Sequence, residues 1–377
     1  MVSTSSTVPL RDCTPGRPEP TLRQTLAIVL SSYTIFLVVL RLAAGSLSLA
    51  GGDFGDNPSY LSAALAIRHW QFTGVSVKQF WGLPYFVAGL SLVTGLSARA
   101  ALLVVCASAS LVAVAVCHRL WGGWVALFFA LLNLDWFQRA LLGGAEPLFM
   151  ALLLGAFLML RRERTAVSAF LAALATIVRP FGLFVLIGIG VQLLRQNKFR
   201  QCVAATLIGV AVGAAYAWPL EHYLGSPLAN VTMYRKNDWH GALPFSLPLV
   251  PIIRDTVPIN SPLTNLALTL GWVGFVIAGL VFALKSGQWW RYGSKYQAEI
   301  VFVSLYTLAL YTYNSPGWSR SNFPRFAIPI LPWTLFFLRR FIPQERRVVA
   351  LLAVVAPVLA AASAVGIRNV VGTLLGH

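Results

Sequence analysis

The feature that most constrains this chain is a train of apolar runs, many of them roughly 17 to 26 residues long, that recurs along its whole length. They fall at about 25 to 50, 82 to 97, 100 to 117, 121 to 137, 143 to 160, 166 to 194, 201 to 219, 263 to 284, 297 to 313, 326 to 338 and 348 to 367. At 1.5 Å per residue, a helix of about 20 residues matches the ~30 Å hydrocarbon layer of a bilayer. Strands of a membrane barrel would be about ten residues long and alternate in polarity, and runs such as 100 to 117 or 143 to 160 do not alternate. Composition agrees, with 57% apolar residues, 11% charged and a mean hydropathy of +0.72. Soluble domains carry about 25% charged residues. The expected fold class is an all-α polytopic membrane protein.

A net charge of +17, from 29 Lys and Arg against 12 Asp and Glu, would point to nucleic acid in a soluble protein. Here most cations cluster at the ends of apolar runs, where the positive-inside rule puts them, so no nucleic-acid partner is expected. Cys13, Cys106, Cys117 and Cys202 stand singly, without a Cys-x-x-Cys or a Cys/His grouping. Neither a disulfide framework nor a zinc site follows, and no metal or cofactor is expected.

The chain divides into a polar N-terminal tail (1–24), a membrane module (25–219), an outer loop (220–262) and a C-terminal membrane module (263–377). The tail is Pro-rich, carries Arg11, Arg17 and Arg23, and precedes a run too long for an ordinary signal peptide, so a signal anchor is expected. From residue 161 onward the basic clusters Arg161–Arg164, Arg195–Arg200, Lys285–Lys295 and Arg339–Arg347 share one side, the cytoplasm, if each run from 201 crosses once. The stretch 166–194 has such clusters at both ends and is interrupted only by Arg179-Pro180. Two helices of about 13 residues reach roughly 20 Å each, which predicts a re-entrant pair with its tip at membrane depth. Irregular backbone and a charge are tolerated there only where they line a polar cavity. Between the first outer loop (51–81) and Arg161 an odd number of crossings is needed, yet four runs are present. One of them, with 82–97 the leading candidate, does not span, or the N-terminus is outside. Residues 58 to 73 place apolar groups at helical spacing opposite Arg68, His69 and Gln71, which suits a helix lying in the membrane surface.

With so few acids, each can be weighed. Asp12, Glu19, Glu163 and Glu345 lie in tails or basic turns where a solvated role suffices. The first outer loop, Gly51 to Tyr60, carries Asp53 and Asp56 in a glycine-rich turn. These could be catalytic, or Asp56 or Asn57 could simply cap the helix starting near Pro58. Glu146, before Pro147, opens a span whose far end is Arg161, and capping chemistry would also explain it.

The Asp-containing first outer loop, Ala145-Glu146-Pro147-Leu148-Phe149 opening a span, Thr176-Ile177-Val178-Arg179-Pro180-Phe181-Gly182 ending a half-helix and Phe323-Pro324-Arg325-Phe326-Ala327-Ile328-Pro329 opening a late span occur in that order. Together they resemble a GT-C glycosyltransferase, and within that group the bacterial relatives of the GPI mannosyltransferase that adds the second mannose. The resemblance covers roughly residues 25 to 340. It implies a GT-C-like bundle of about 10–12 transmembrane or re-entrant helices with an outer-face catalytic loop. It also implies sugar transfer, with mannose favoured, from a polyprenyl-phosphate donor to a hydroxyl of a lipid-linked, glycan or protein acceptor. Because the first loop lacks the family's adjacent acid pair, Asp53 and Asp56 both remain eligible as the catalytic base, Asp53 as first choice and Asp56 as second. Arg179, Arg325 and Arg320 are the expected phosphate-binding cations, and Glu146, Tyr60, Asp238 and His240 the expected substrate-binding groups. An inverting displacement needs a carboxylate to take the acceptor proton and cations to hold the departing phosphate. The expected location is a multi-pass position in the bacterial inner membrane, or the ER membrane in a eukaryote. The alternative is a transporter or flippase that binds an anionic polyprenyl-phosphate lipid without chemistry. Against it, only one broken helix pair is seen and no internal repeat.

Overall fold

A computed structural model describes residues 19–45, 54–72, 75, 79–237, 245–256, 263–313 and 322–375. Among these residues the chain is all helix apart from turns and one isolated antiparallel bridge, Phe245 to Tyr313. Five helices are long and apolar enough to cross a membrane: α1 (Leu22–Ala44), α4 (Ala98–Trp121), α10 (Phe199–Leu224), α13 (Leu263–Lys285) and α18 (Arg346–Leu375). A sixth candidate is the bent pair α6 (Leu134–Leu141) and α7 (Ala145–Arg161), whose axes differ by 102°. Shorter apolar helices fill the spaces between, among them α3 (Gly82–Thr94), α5 (Gly123–Leu132), α8 (Thr165–Val178) and α9 (Leu183–Arg195). The remaining helices used below are α2 (Asn57–His69), α14 (Gln288–Lys295), α15 (Gln297–Thr312), α16 (Phe323–Ala327) and α17 (Leu331–Phe337).

Large apolar side chains remain exposed on the outside of this bundle, such as Phe199, Val203, Leu207 and Val210 of α10. In water such a surface would drive association; in lipid it is the ordinary exterior of a membrane helix. The interior holds aromatic anchors, including Trp81, Trp136, Trp333, Phe149, Phe157 and Phe302, all fully buried.

The ends of α7 give the bundle its two reference levels. Cys106 Sγ donates to the Gly144 carbonyl at 3.3 Å, and Arg161 Nη1 donates to the Leu120 carbonyl at 3.2 Å, so α4 and α7 run in the same direction. The chain must therefore return between them, and it does so through α5 and α6. The apolar run 121–137 is not one helix, because Asn133 breaks it: its side chain accepts from the Trp136 amide and caps α6. Helix α3 begins against the backbone of Ile177 and Val178, at the Glu146 level, and ends three residues before α4, at the far end from Arg161. It never reaches the Arg161 level. Three passes then separate Asp56 from Arg161, an odd number, and the run 82–97 is the one that does not complete a pass.

The basic clusters gather at the Arg161 end. Arg161, Lys198 and Lys295 line one pocket, and Arg340 lies over the ring of Phe282 at 4.0 Å, three residues before Lys285 on α13. At the other end, the first eight residues of α4 extend beyond Cys106, about 12 Å at the helical rise. The start of α7 is therefore recessed below the outermost level of the bundle.

Candidate active site

Glu146 sits in the first turn of α7, just after the Gly143-Gly144 corner that turns the chain from α6. Gly143 takes φ 112, a left-handed backbone conformation that favours glycine. Asn57, at the start of α2, fastens the corner by donating from Nδ2 to the Leu142 carbonyl at 2.7 Å. Glu146 is 1% exposed, and its Oε1 accepts from both Arg179 Nη2 and Arg325 Nε.

Each cation is delivered by a proline. Arg179 precedes Pro180 and is extended, with φ −146 and ψ 130, because the proline ring excludes the helical conformation from the residue before it. That ends α8 after 14 residues and points Arg179 at Glu146 across the α7–α8 pair, before the short 3-10 turn Pro180–Gly182 leads into α9. Arg325 lies in α16 just after Pro324, whose carbonyl accepts from Asn133 Nδ2 at 2.8 Å. Tyr306 OH donates to the Phe326 carbonyl at 2.9 Å, and the Phe326 ring stands 5.5 Å from the Arg179 guanidinium and 5.6 Å from that of Arg325.

Arg325 reaches a second acid. Its Nη2 donates to Asp56 Oδ2 at 3.0 Å, while Gln79 Nε2 donates to Asp56 Oδ1 at 2.9 Å. Asp56 occupies the position before α2 but makes no side-chain capping bond, so its carboxylate is committed to Arg325 and Gln79 and not to the helix. It is also open, with 31% of the side chain exposed against none for Glu146. Tyr60, buried on α2, lies within electrostatic reach of this group. Burial first, then the Asp56 and Glu146 carboxylates, push its phenol well above the ordinary value and keep it a neutral hydroxyl.

Of the residues expected from sequence, Asp56, Tyr60, Glu146, Arg179 and Arg325 thus come together. Asp53, Arg320, Asp238 and His240 lie outside the described residues. Sequence reasoning missed Arg139, Asp135, Asn57 and Gln79. Arg139 on α6 is 6% exposed and stacks on the Phe54 ring at 4.7 Å, and Asp135 lies within electrostatic reach of it. The signal was present as an Asp135/Arg139 pair at i, i+4 spacing, but it falls at the end of an apolar run. Among the described residues, no group of three His, Cys, Asp or Glu side chains is placed to hold a metal ion.

A second polar cluster lies at the other end of α7. Arg161 donates from Nε to Glu299 Oε1 at 2.7 Å and from Nη2 to Oε2 at 2.9 Å. Tyr292 OH and Trp333 Nε1, the latter at 3.1 Å, also donate to Oε2, and Trp121 Nε1 donates to Tyr292 OH at 3.0 Å. The Tyr296 ring covers the guanidinium at 3.9 Å. Arg161, expected among the cytoplasmic surface charges, is therefore largely withdrawn, its side chain 16% exposed in an ion pair with the buried Glu299, while its neighbours Arg162, Glu163 and Arg164 are exposed.

Comparison with protein-family models, with curated proteins and with solved structures finds no match to this chain.

Proposed function

We propose that this chain is a GT-C-like membrane glycosyltransferase that moves a sugar, mannose favoured, from a polyprenyl-phosphate donor to an acceptor hydroxyl on the non-cytoplasmic side. The observation that carries the reading is the pairing of a half-open carboxylate with anchored cations: Asp56 is hydrogen-bonded to Arg325, and Arg325 shares the buried Glu146 with Arg179. The gathering of basic clusters at the Arg161 end supports assigning that end to the cytoplasm and the recessed Glu146 end to the opposite face.

In this reading Asp56 takes the proton of the acceptor hydroxyl as its oxygen attacks the anomeric carbon. The bond from that carbon to the phosphate oxygen breaks, its electron pair leaves with the polyprenyl phosphate, and the anomeric centre inverts. A guanidinium has five N–H donors, more than Arg179 and Arg325 use on the two carboxylates, and the leaving phosphate draws on the remainder. Glu146 is then a positioning residue that holds both cations at one place. A lateral groove of about 460 Å³ between α8, α9 and α10, lined by Ile177, Leu183, Leu186 and Val210 among others, opens two residues from Arg179 and suits the lipid chain.

The test is reconstitution in vesicles with polyprenyl-phosphate mannose and a hydroxyl-bearing acceptor. Formation of a glycoside that depends on Asp56 is the expected result. Passage of labelled polyprenyl phosphate between leaflets, with no glycoside formed on any acceptor, would replace the enzyme by a flippase.

A further inference from the structure

At the Arg161 end three turns close around one cavity of about 170 Å³, room for several waters at about 30 Å³ each. They are the α7–α8 turn with Arg161 and Glu163, the α9–α10 turn with Gln196 and Lys198, and the α14–α15 turn with Lys295 and Tyr296. The first two are built alike. Glu163 and Asn197 take the left-handed conformation, with φ 60 and 57, and the next amide in each turn, of Arg164 and of Lys198, donates back to the Met159 and Leu193 carbonyls at 3.0 and 2.9 Å. Turns closed in this way are already ordered, so a ligand has little left to immobilise. The positive-inside rule asks only for cations on this side of the membrane. It does not require separate turns to bring them round a cavity.

The charges at that cavity do not cancel. Arg161 and Glu299 both line it, but Arg161 is committed to Glu299, to Tyr292 OH and to the Leu120 carbonyl, and Glu299 to Arg161, Tyr292 and Trp333. That leaves Lys198 and Lys295 against Glu163, which stands between the exposed Arg162 and Arg164. Arg195 and Arg200 are exposed on either side of Lys198 in the chain. Such a field favours an anion.

Depth selects which anion. Helix α14 ends at Lys295 and is two-sided: Trp289 packs on Phe337 and Tyr292 is buried, whereas Trp290, Arg291 and Lys295 are exposed. A short helix that shows tryptophan and cations together belongs at the headgroup level of a bilayer. Immediately after Lys198 the exposed Phe199, Val203 and Leu207 form an apolar stripe, four residues apart on one face of α10. A soluble anion would use the lysines and leave the stripe bare, whereas a phospholipid uses both, with its phosphate in the cavity and its acyl chains along α10. We propose that this pocket seats the phosphate headgroup of an anionic phospholipid, held by Lys198 and Lys295, in the leaflet at the Arg161 end. The site lies at the opposite end of α7 from Glu146, and it does not depend on sugar transfer.

The experiment uses the full chain in a nonionic detergent, with binding of dioleoyl phosphatidylglycerol, dioleoyl phosphatidylcholine and glycerol phosphate followed by native mass spectrometry. Phosphatidylglycerol should bind about tenfold or more tightly than phosphatidylcholine, and equal binding of the two would overturn the site. Lys198→Gln with Lys295→Gln, both at exposed positions, should weaken phosphatidylglycerol about 30-fold and leave phosphatidylcholine unchanged. Arg346→Gln with Arg347→Gln, an exposed pair at the start of α18 on the same end, should change it by about twofold or less. Equal losses from the two pairs would reduce the attraction to a diffuse surface charge and overturn the site. Glycerol phosphate bound as tightly as phosphatidylglycerol would make the cavity a soluble-anion site and overturn the lipid. Should the lysine pair fail to fold, the unaltered chain decides the matter. Phosphatidylglycerol with a photoreactive headgroup should label the segments 160–165, 192–198 and 295–299, and label shared equally with 339–347 would overturn the site as well.

Discussion

At its C-terminal end α7 delivers Arg161 to Glu299, and at its N-terminal end it delivers Glu146 to Arg179 and Arg325. Both clusters bury carboxylate and guanidinium together, but they are finished differently. Each oxygen of Glu299 has donors, the guanidinium grips both, and aromatic rings enclose the pair. At the other end Glu146 Oε2 and two nitrogens of Arg139 have no partner among the described residues, and Asp56 stands 31% exposed. Excellent geometry is what lets a buried pair recover its desolvation cost. The closed cluster is therefore built to hold helices, and the open one keeps bonding capacity that a ligand can use.

Substitutions at both clusters test that contrast, beginning with the largest effect. Asp56→Asn should remove roughly 10² to 10⁴ of the transfer rate while the melting temperature stays near the parent's, measured by product formation and thermal unfolding on the same preparation. A large fall in melting temperature with the rate intact would move Asp56 into the structural class. Conversely, Glu299→Ala should cost about 3–5 kcal/mol of stability, because Arg161 is left buried without its partner. Replacing both at once, Arg161→Met with Glu299→Met, should recover part of that loss in denaturant unfolding, since no guanidinium is left without its counter-charge, while Tyr292 OH and Trp333 Nε1 still lack the acceptor that Glu299 gave them. A double replacement as unstable as the single one would show that the donors stranded by the loss of Glu299, and not the guanidinium, carry the cost.

A smaller effect, a loss of about 10²-fold in donor use, is expected for Arg179→Ala and for Arg325→Ala. Arg179→Lys and Arg325→Lys should lose less, because a point charge replaces a planar fork without restoring its two-oxygen grip. Kinetics with varied donor concentration measure this. The sharpening control is Arg179→Ala combined with Glu146→Gln: recovery of stability and transfer together would reduce Arg179 to a counter-ion of Glu146. The mildest change is Gln79→Ala, which removes one donor from Asp56 Oδ1. A loss of roughly tenfold or less in rate, with unaltered donor affinity, is the expected split. A rate unchanged by Gln79→Ala would show that Asp56 is oriented by Arg325 alone.

Much of the architecture was legible because lipid partition is a local property of the chain. Run length and composition already required helices in a membrane, Arg179-Pro180 already marked a broken one, and the basic clusters already shared a side. Glu146 and Arg179 were legible as candidates for the same reason: a charge inside an apolar stretch is expensive wherever it stands. What hydropathy could not carry was any pairing across the bundle. Asp56 lies 269 residues from Arg325 in sequence, and whether it caps its own helix or meets that guanidinium depends on how α2 packs beside α16. The break at Asn133 was hidden for a related reason, since it needs Pro324, 191 residues away, as the acceptor for its side chain. Arg161 read as a surface charge because sequence reports the end of a run, not whether Tyr296 and Glu299 close over it. Apolar runs are specified residue by residue through transfer energy, whereas the fate of a buried charge depends on which distant helix supplies its counter-charge, and only the packed bundle decides that.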